Sequence, residues 1–361
     1  NAAAPVAGAA VFASGDIQAD IDQAIASGGG TVMLPAGATR LSKGLYLASG
    51  AAAVTLQGAS TGRSSLVVTD PYQNAITVEN ASAVALRDFT IDYDPLPVTQ
   101  GVIKAITING GTQTVDVAID RGYRTDTAWL QADADLGELG LIVFDANTRL
   151  MKPNAFAVGI ASVSDVGGGV LRFTVNGGSG DIDSGAIAAG DLVSTKAWRS
   201  QAITLLQSGG TVISSVTLHA AYGAGVFEYG GAGGSDISIA MVRGPRPPGA
   251  TSDRLISVNR DGIHSKEVGK GANIHDSLLE HIGDDMIASH GSFFTVTAID
   301  AAAQAITIEH PQGFGSFGLA GEKLLVWNNK SMAQDATSTI VEVDPADNRR
   351  LRLDTVAGVD V

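Results

Sequence analysis

Short runs of alternating apolar residues return every 10 to 12 residues along this chain, divided by clusters of Gly, Asn, Asp and Ser. They include SLVVTD (65–70), AITVEN (75–80), VALRDFTIDYD (84–94), AITLLQS (202–208), TVISSVTLHAA (211–221), AGVFEYG (224–230) and SDISIAMV (235–242). LISVNRDGIHS (255–265), ANIHDSLLEHI (272–282) and DDMIASHG (284–291) complete the series. Such runs are rich in Val, Ile and Thr, so they read as strands, and the clusters between them as turns. Two or three strands of this length make one coil of a parallel β-helix, with successive coils stacked ~4.8 Å apart. The expected fold class is therefore all-β.

One segment breaks the rhythm. In DIQADIDQAI (16–25), Ile17, Ile21 and Ile25 lie four apart, on one face of a short amphipathic helix. TVMLPAG (31–37) and VTLQGAS (54–60) follow it. A helix there would cap the open end of a β-helix, whose first coil otherwise exposes unpaired backbone.

Four further segments read differently, as hairpins: VIKAITINGGTQTVDVAID (102–120), VGIASVSDVGGGVLRFTVN (158–176), FTVTAIDAAAQAITIEH (294–310) and STIVEVDPADNRRLRLD (338–354). Each joins two β-rich runs through a polar turn. They fall in two pairs, which we read as two small antiparallel barrels inserted into the helix wall. AAGDLVS (188–194) follows the second hairpin of the first barrel, whereas the second reaches only VAGVDV (356–361) at the corresponding place. The second barrel is therefore expected to be incomplete. The domain expectation is a cap with first coils (1–98), barrel one (99–199), coils carrying the site (200–292) and barrel two (293–361).

Composition narrows the function. The net charge of −14 argues against nucleic-acid and anionic-membrane partners, and disfavours a polyanionic substrate unless basic residues are concentrated locally. The chain has no cysteine, so disulfides and thiolate metal sites are excluded. No apolar run approaches the ~18 residues that span a bilayer. The opening NAAAPVAGAA fits a mature chain after signal cleavage, hence a secreted or periplasmic protein, and equally an engineered start. Homo-oligomerisation is left open.

The chemistry concentrates in 259–291, NRDGIHSKEVGKGANIHDSLLEHIGDDMIASHG. Asp261 precedes Asp284 and Asp285 by 23 and 24 residues, about one coil, so a β-helix would stack the three on one wall. Carboxylates gathered in this way are the equipment for breaking a glycosidic bond. Crowding favours a proton on one of them, which becomes the general acid while the others activate water. Asp also fills turns and caps backbone groups, so any one alone is weak. The adjacent pair, the one-coil offset and the nearby His264 and His290 favour catalysis for the cluster. As sugar-binding candidates we take His264, His290, Glu228, Tyr229, Trp198 and Arg199, near strand ends that could face one groove. For Trp198 and Tyr229, packing between barrel and helix is the alternative. DYD (92–94) offers two carboxylates, too few to argue a cation site. RGPRPPG (243–249), with Arg243 and Arg246, reads as a solvated loop.

The opening "helix, G-G-G-T-V-x-L-P-A-G, strand, V-T-L-x-G" resembles the pectate-lyase-like superfamily of right-handed parallel β-helices. N-x-D-G followed one coil later by G-D-D-x-I-A resembles the polygalacturonase-type glycosidases, although their Gly-His-Gly and Arg-x-Lys motifs do not follow. The chain is most similar to the inverting α-1,3-galactosidase family, glycoside hydrolase family 110. It shares D-G-x-H (261–264), D-D-x-I-x-x-H-G (284–291), H-P-Q-x-F-G from His310 to Gly315, and IDYDPLPVTQGVI (91–103). The resemblance implies Asp284 as general acid and Asp261 and Asp285 holding the attacking water. It further implies inversion, a carbohydrate substrate with terminal α-linked galactose, and no metal or cofactor. Ala288-Ser289 departs from the Asn-containing sequence expected before His290. The alternatives are a polygalacturonase-like hydrolase, a polysaccharide lyase, and a non-catalytic glycan-binding β-helix.

Overall fold

A computed structural model describes residues 10–153, 157–309 and 318–359. The chain is all-β, with parallel sheets and a closed six-stranded barrel. The wall that carries the site pairs, in order and parallel, Leu45–Leu47, Ile76–Glu79, Ile203–Leu206, Val226–Tyr229, Ile263–Lys266 and Ile287–His290. The pairing keeps one register, so Leu45, Ile76, Ile203, Val226 and Ile263 form a single row, and all five are buried. Removing each such side chain from water contributes about 1.5–3 kcal/mol. A one-residue slip would turn every member of the row outward, which fixes the register.

Two more parallel ladders share the other large sheet. One passes through Gly30–Met33, Val54–Gln57, Ala85–Arg87 and 212–214, the other through Gly37–Leu41, Ser64–Val68, Thr90–Tyr93 and 217–218. The strands Val212–Leu218 and Asp236–Met241 are long enough to belong to both. Val32, Leu56, Leu86, Ile213 and Ile237 join the first row in one apolar core.

The helix expected near the start runs from Ile17 to Ala26, with Asp16 as its N-cap. Ile17, Ile21 and Ala24 are buried, Ile25 partly so. Its Gln18 acts as a strand surrogate on the edge strand Leu45–Leu47. Gln18 Nε2 donates to Tyr46 O and Tyr46 N donates to Gln18 Oε1, both at 2.9 Å. An exposed sheet edge is thereby occupied. Among the described residues no helix is long and apolar enough to cross a membrane.

All four expected hairpins form. The barrel strands are Gln100–Asn109, Thr112–Ile119, Gly140–Phe144, Ala157–Gly167, Val170–Val175 and Leu192–Lys196. They close in the order first, second, fifth, fourth, third, sixth. Between the second and third barrel strands runs a helix the strand pattern did not lead us to expect, Thr127–Ala134, capped by Asp126.

Where an incomplete second barrel was expected, the described residues form an open sheet of five strands, Thr295–Asp300, Ala305–Glu309, Lys323–Trp327, Gln334–Val343 and Arg350–Leu353. Their order is again first, second, fifth, fourth, third. In the closed barrel the sixth strand, Leu192–Lys196, bridges the first and third strands. A counterpart to that strand is what the open sheet lacks among the described residues. Phe293, Leu325 and Trp327, which line the unbridged gap, are exposed. H-P-Q-x-F-G lies outside the described residues.

Candidate active site

Register brings the three aspartates together. Ile263 pairs with Ile287, and the same offset carries Asp261 to Asp285, with Gly262 N donating to Asp285 O at 2.9 Å. The glycines of the two motifs have a steric cause. A Cβ on Gly262 would sit 2.5 Å from Met286 O, and one on Gly283 would collide with Asn259 O. Neighbouring chain segments can stack this closely only where the side chain is absent.

One oxygen from each of Asp261, Asp284 and Asp285 lies within 4.8 Å of the others. Asp261 is buried, Asp284 half-buried and Asp285 exposed, so the cluster opens at one side. Asp284 Oδ2 accepts from Lys196 Nζ and, at 3.4 Å, from Arg260 Nη1. Arg260 Nη2 also reaches Glu138 Oε2 at 3.0 Å. Burial pushes the Lys196 ammonium below the usual lysine range, while the Asp284 carboxylate pulls it back up. Three carboxylates at this spacing are also a donor set for a hard cation. The cations that Asp284 meets here are the protein's own.

Asp261 Oδ2 lies 2.5 Å from His264 Nδ1, and His264 Nε2 lies 3.0 Å from His290 Nε2. Trp198 and Phe227 set their rings edge-on to His264, with centroids at 5.8 and 5.3 Å. Arg260 lies over Trp198, 5.3 Å from its centroid. Phe227 stacks on Tyr229 at 6.0 Å, and Lys266 lies 5.9 Å from the Tyr229 ring. Burial and Glu267 push the Tyr229 phenol up to about 12. Asp261, Asp284, Asp285, His264, His290 and Trp198 thus form one group, with Tyr229 one aromatic step away.

Glu228 and Arg199 are not brought there. Strand alternation turns Glu228 inward, where Ser235 Oγ and Ser265 Oγ donate to its two oxygens at 2.6 and 2.7 Å. Arg199 turns to the barrel helix, donating to Asp133 Oδ1 at 2.6 Å and to Ala132 O at 2.9 Å. The two carboxylates of DYD are taken by arginines, Asp92 by Arg254 and Asp94 by Arg40. In RGPRPPG, Arg246 pairs with Asp253 at the surface.

Sequence reasoning missed Lys196, Arg260, Glu138 and Phe227. Arg260 and Phe227 lay inside quoted motifs, and the alternation of GVFEYG places Phe227 on the face opposite Glu228. Lys196 and Glu138 belong to the barrel region, far along the chain from the aspartates.

No protein-family model matches the chain, and no curated protein matches it. Among solved structures it is similar to the A-module of mannuronan C-5 epimerase AlgE4 of Azotobacter vinelandii, at 15% identity and a TM-score of 0.24. The match covers 78% of this chain and 71% of that one. A likeness of that size carries no argument about this chain.

Proposed function

We propose that the chain is a glycoside hydrolase acting on a terminal α-linked, α-1,3 galactoside, a substrate taken from the motif resemblance. The observation that carries the hydrolase reading is the carboxylate trio within 4.8 Å, open on one side, with Trp198 edge-on to His264, which contacts Asp261. In this reading the parallel ladders are walls of a right-handed β-helix divided as 1–98, 99–199, 200–292 and 293–361, in a secreted or periplasmic enzyme. Asp284 protonates the leaving oxygen, with Lys196 Nζ donating to its Oδ2. Asp261 and Asp285 hold the attacking water, and Trp198 offers an aromatic face to a hexose.

The spacing bears on stereochemistry. Oxygens within 4.8 Å are nearer the ~5–5.5 Å carboxyl separation of retaining enzymes than the ~6.5–9.5 Å of inverting ones. Inversion therefore rests on the resemblance alone. Incubation with aryl α-galactoside and α-1,3-linked galactose oligosaccharides, with the released anomer followed by NMR, decides both substrate and outcome. Release of β-galactose first supports inversion, release of α-galactose supports retention, and no release from either substrate overturns the galactosidase reading.

A second reading has its own observation. Lys196 and Arg260 concentrate positive charge at the cluster of an acidic chain. Such cations suit a uronate, and a lyase would use one as a base. An unsaturated product absorbing in the ultraviolet from a uronate polymer would favour it over hydrolysis.

A further inference from the structure

His264 and His290 extend the site from buried Asp261 to the exposed surface, and their hydrogens can be counted. His290 Nδ1 lies 2.9 Å from Gly291 O; a carbonyl only accepts, so Nδ1 carries a hydrogen. One hydrogen fits between His264 Nε2 and His290 Nε2 at 3.0 Å, and one between Asp261 Oδ2 and His264 Nδ1 at 2.5 Å. The three contacts therefore hold three hydrogens, while two neutral imidazoles supply two. The third resides either on Asp261 or on the imidazole pair opposite an ionised Asp261. Both arrangements satisfy every contact, and they differ only by one hop along each of two hydrogen bonds.

We propose that Asp261, His264 and His290 form a one-proton relay that empties Asp261 after each turnover. The inference rests on the hydrolase reading for the source of the proton, the attacking water. The cycle starts from the two-hydrogen form, with Asp261 ionised and both imidazoles neutral; when water adds to the sugar, its O–H bond breaks and Asp261 takes the proton, which is the third hydrogen of the count. That proton passes to His264 Nδ1 while the hydrogen on His264 Nε2 passes to His290 Nε2. Asp261 is then ionised again and His290 carries the positive charge, which solvent discharges. The side chains suit the direction of flow: those of Asp261 and His264 are 8% and 12% accessible, and His290 is exposed.

The surroundings keep the path narrow. Trp198 and Phe227 are uncharged and cover His264 edge-on. Among the described residues, the charged groups around the chain of contacts include Lys266, which pairs with His290 in the ladder, Glu267, 3.6 Å from Lys266 Nζ, and, beyond Asp261, Asp284 and Asp285 with Lys196 and Arg260.

Imidazole nitrogen NMR of the resting protein tests the count without any substrate. The expected result is that His264 and His290 shift together through one joint step and take up one proton between them. In His290→Gln that joint step is lost and His264 titrates alone. Two separate steps, each adding a full proton, would overturn the relay. With a cleaved glycoside in hand, His290→Gln should lower kcat about 100-fold in dilute buffer at unchanged KM. Added imidazole should restore it, which a purely structural loss would not allow. A loss that buffer leaves untouched, or wild-type kcat, also overturns the relay. Absence of turnover on any glycoside counts against the hydrolase reading only, and the proton count still decides this one.

Discussion

Lys196 donates to Asp284 Oδ2 across 88 residues of sequence, from the last residue of the closing barrel strand to the aspartate pair. The barrel is thus fastened to the candidate site by a buried cation. Asn259 Nδ2 adds to the junction by donating to Ala197 O at 3.2 Å and to Tyr222 O at 3.1 Å. Arg260, which bridges Asp284 and Glu138, closes the same seam from the other side. The insertion that interrupts the strand rhythm therefore supplies part of the candidate site.

Replacing Lys196 by Met keeps the length of the stem and removes the ammonium. Asp284 then retains only the longer Arg260 contact, at 3.4 Å. We expect kcat on the cleaved glycoside to fall about 100-fold or more, in the range of a lost acid–base partner. Circular dichroism should stay native. Unchanged kcat would mean that the ion pair is only structural.

Glu228 makes the opposite prediction. The residue is 2% accessible and its carboxylate accepts from two serines, so it belongs to the interior. Glu228→Ala strands both hydroxyls, at a cost of about 1–3 kcal/mol for each unsatisfied buried group. The urea midpoint should drop, while KM stays within twofold. A raised KM at unchanged stability would return Glu228 to the groove.

What the chain discloses before folding follows from how local each signal is. The alternation in GVFEYG and the polar turns of the four hairpins are local, and they produced strands where expected. Asp261, Asp284 and Asp285 were legible because ladder register turns a sequence interval into a spatial neighbour. GLIVF at 140–144 is buried at every position, so it has no alternation to detect. The helix Thr127–Ala134 was hidden because its apolar residues form no clean stripe in a strand-rich setting. Lys196 could not be foreseen as the partner of Asp284, because closing the barrel is what brings them together.

Asp116 and Arg172 face each other across barrel strands, with paired contacts of 2.7 and 2.8 Å. The guanidinium holds the Asp116 carboxyl below its ordinary value of 3.8. A depressed folded value means that the stabilisation is present above pH 3.8 and is lost as pH falls through the folded value. Arg172 is substantially exposed, so solvent screens the pair and its contribution is small. Arg172→Gln should therefore unfold at lower urea than wild type at pH 7, and at the same urea once both are fully protonated in acid. A gap that persists in acid would point to lost packing of the arginine stem.

Tyr222 anchors the other buried charge of the barrel junction. Its hydroxyl donates to Asp133 Oδ2 and accepts from Trp129 Nε1 at 2.7 Å, while Arg199 Nε holds Asp133 Oδ1 at 2.6 Å. Burial raises the Asp133 carboxyl above its ordinary 3.8, and the contacts from Tyr222 and Arg199 oppose that rise. Tyr222→Phe removes one of the two opposing contacts, so the folded value climbs further. A raised folded value means that stability is full below 3.8 and is lost as pH rises through the folded value. The variant should therefore pay about 1–3 kcal/mol for the unpaired indole N–H and carboxylate oxygen. That penalty should be larger at pH 7 than at pH 4, because only at the higher pH must the carboxyl ionise without its phenol. Urea midpoints for wild type and variant at the two pH values read this directly. A penalty independent of pH would mean that Asp133 keeps one protonation state throughout, with Arg199 alone setting it.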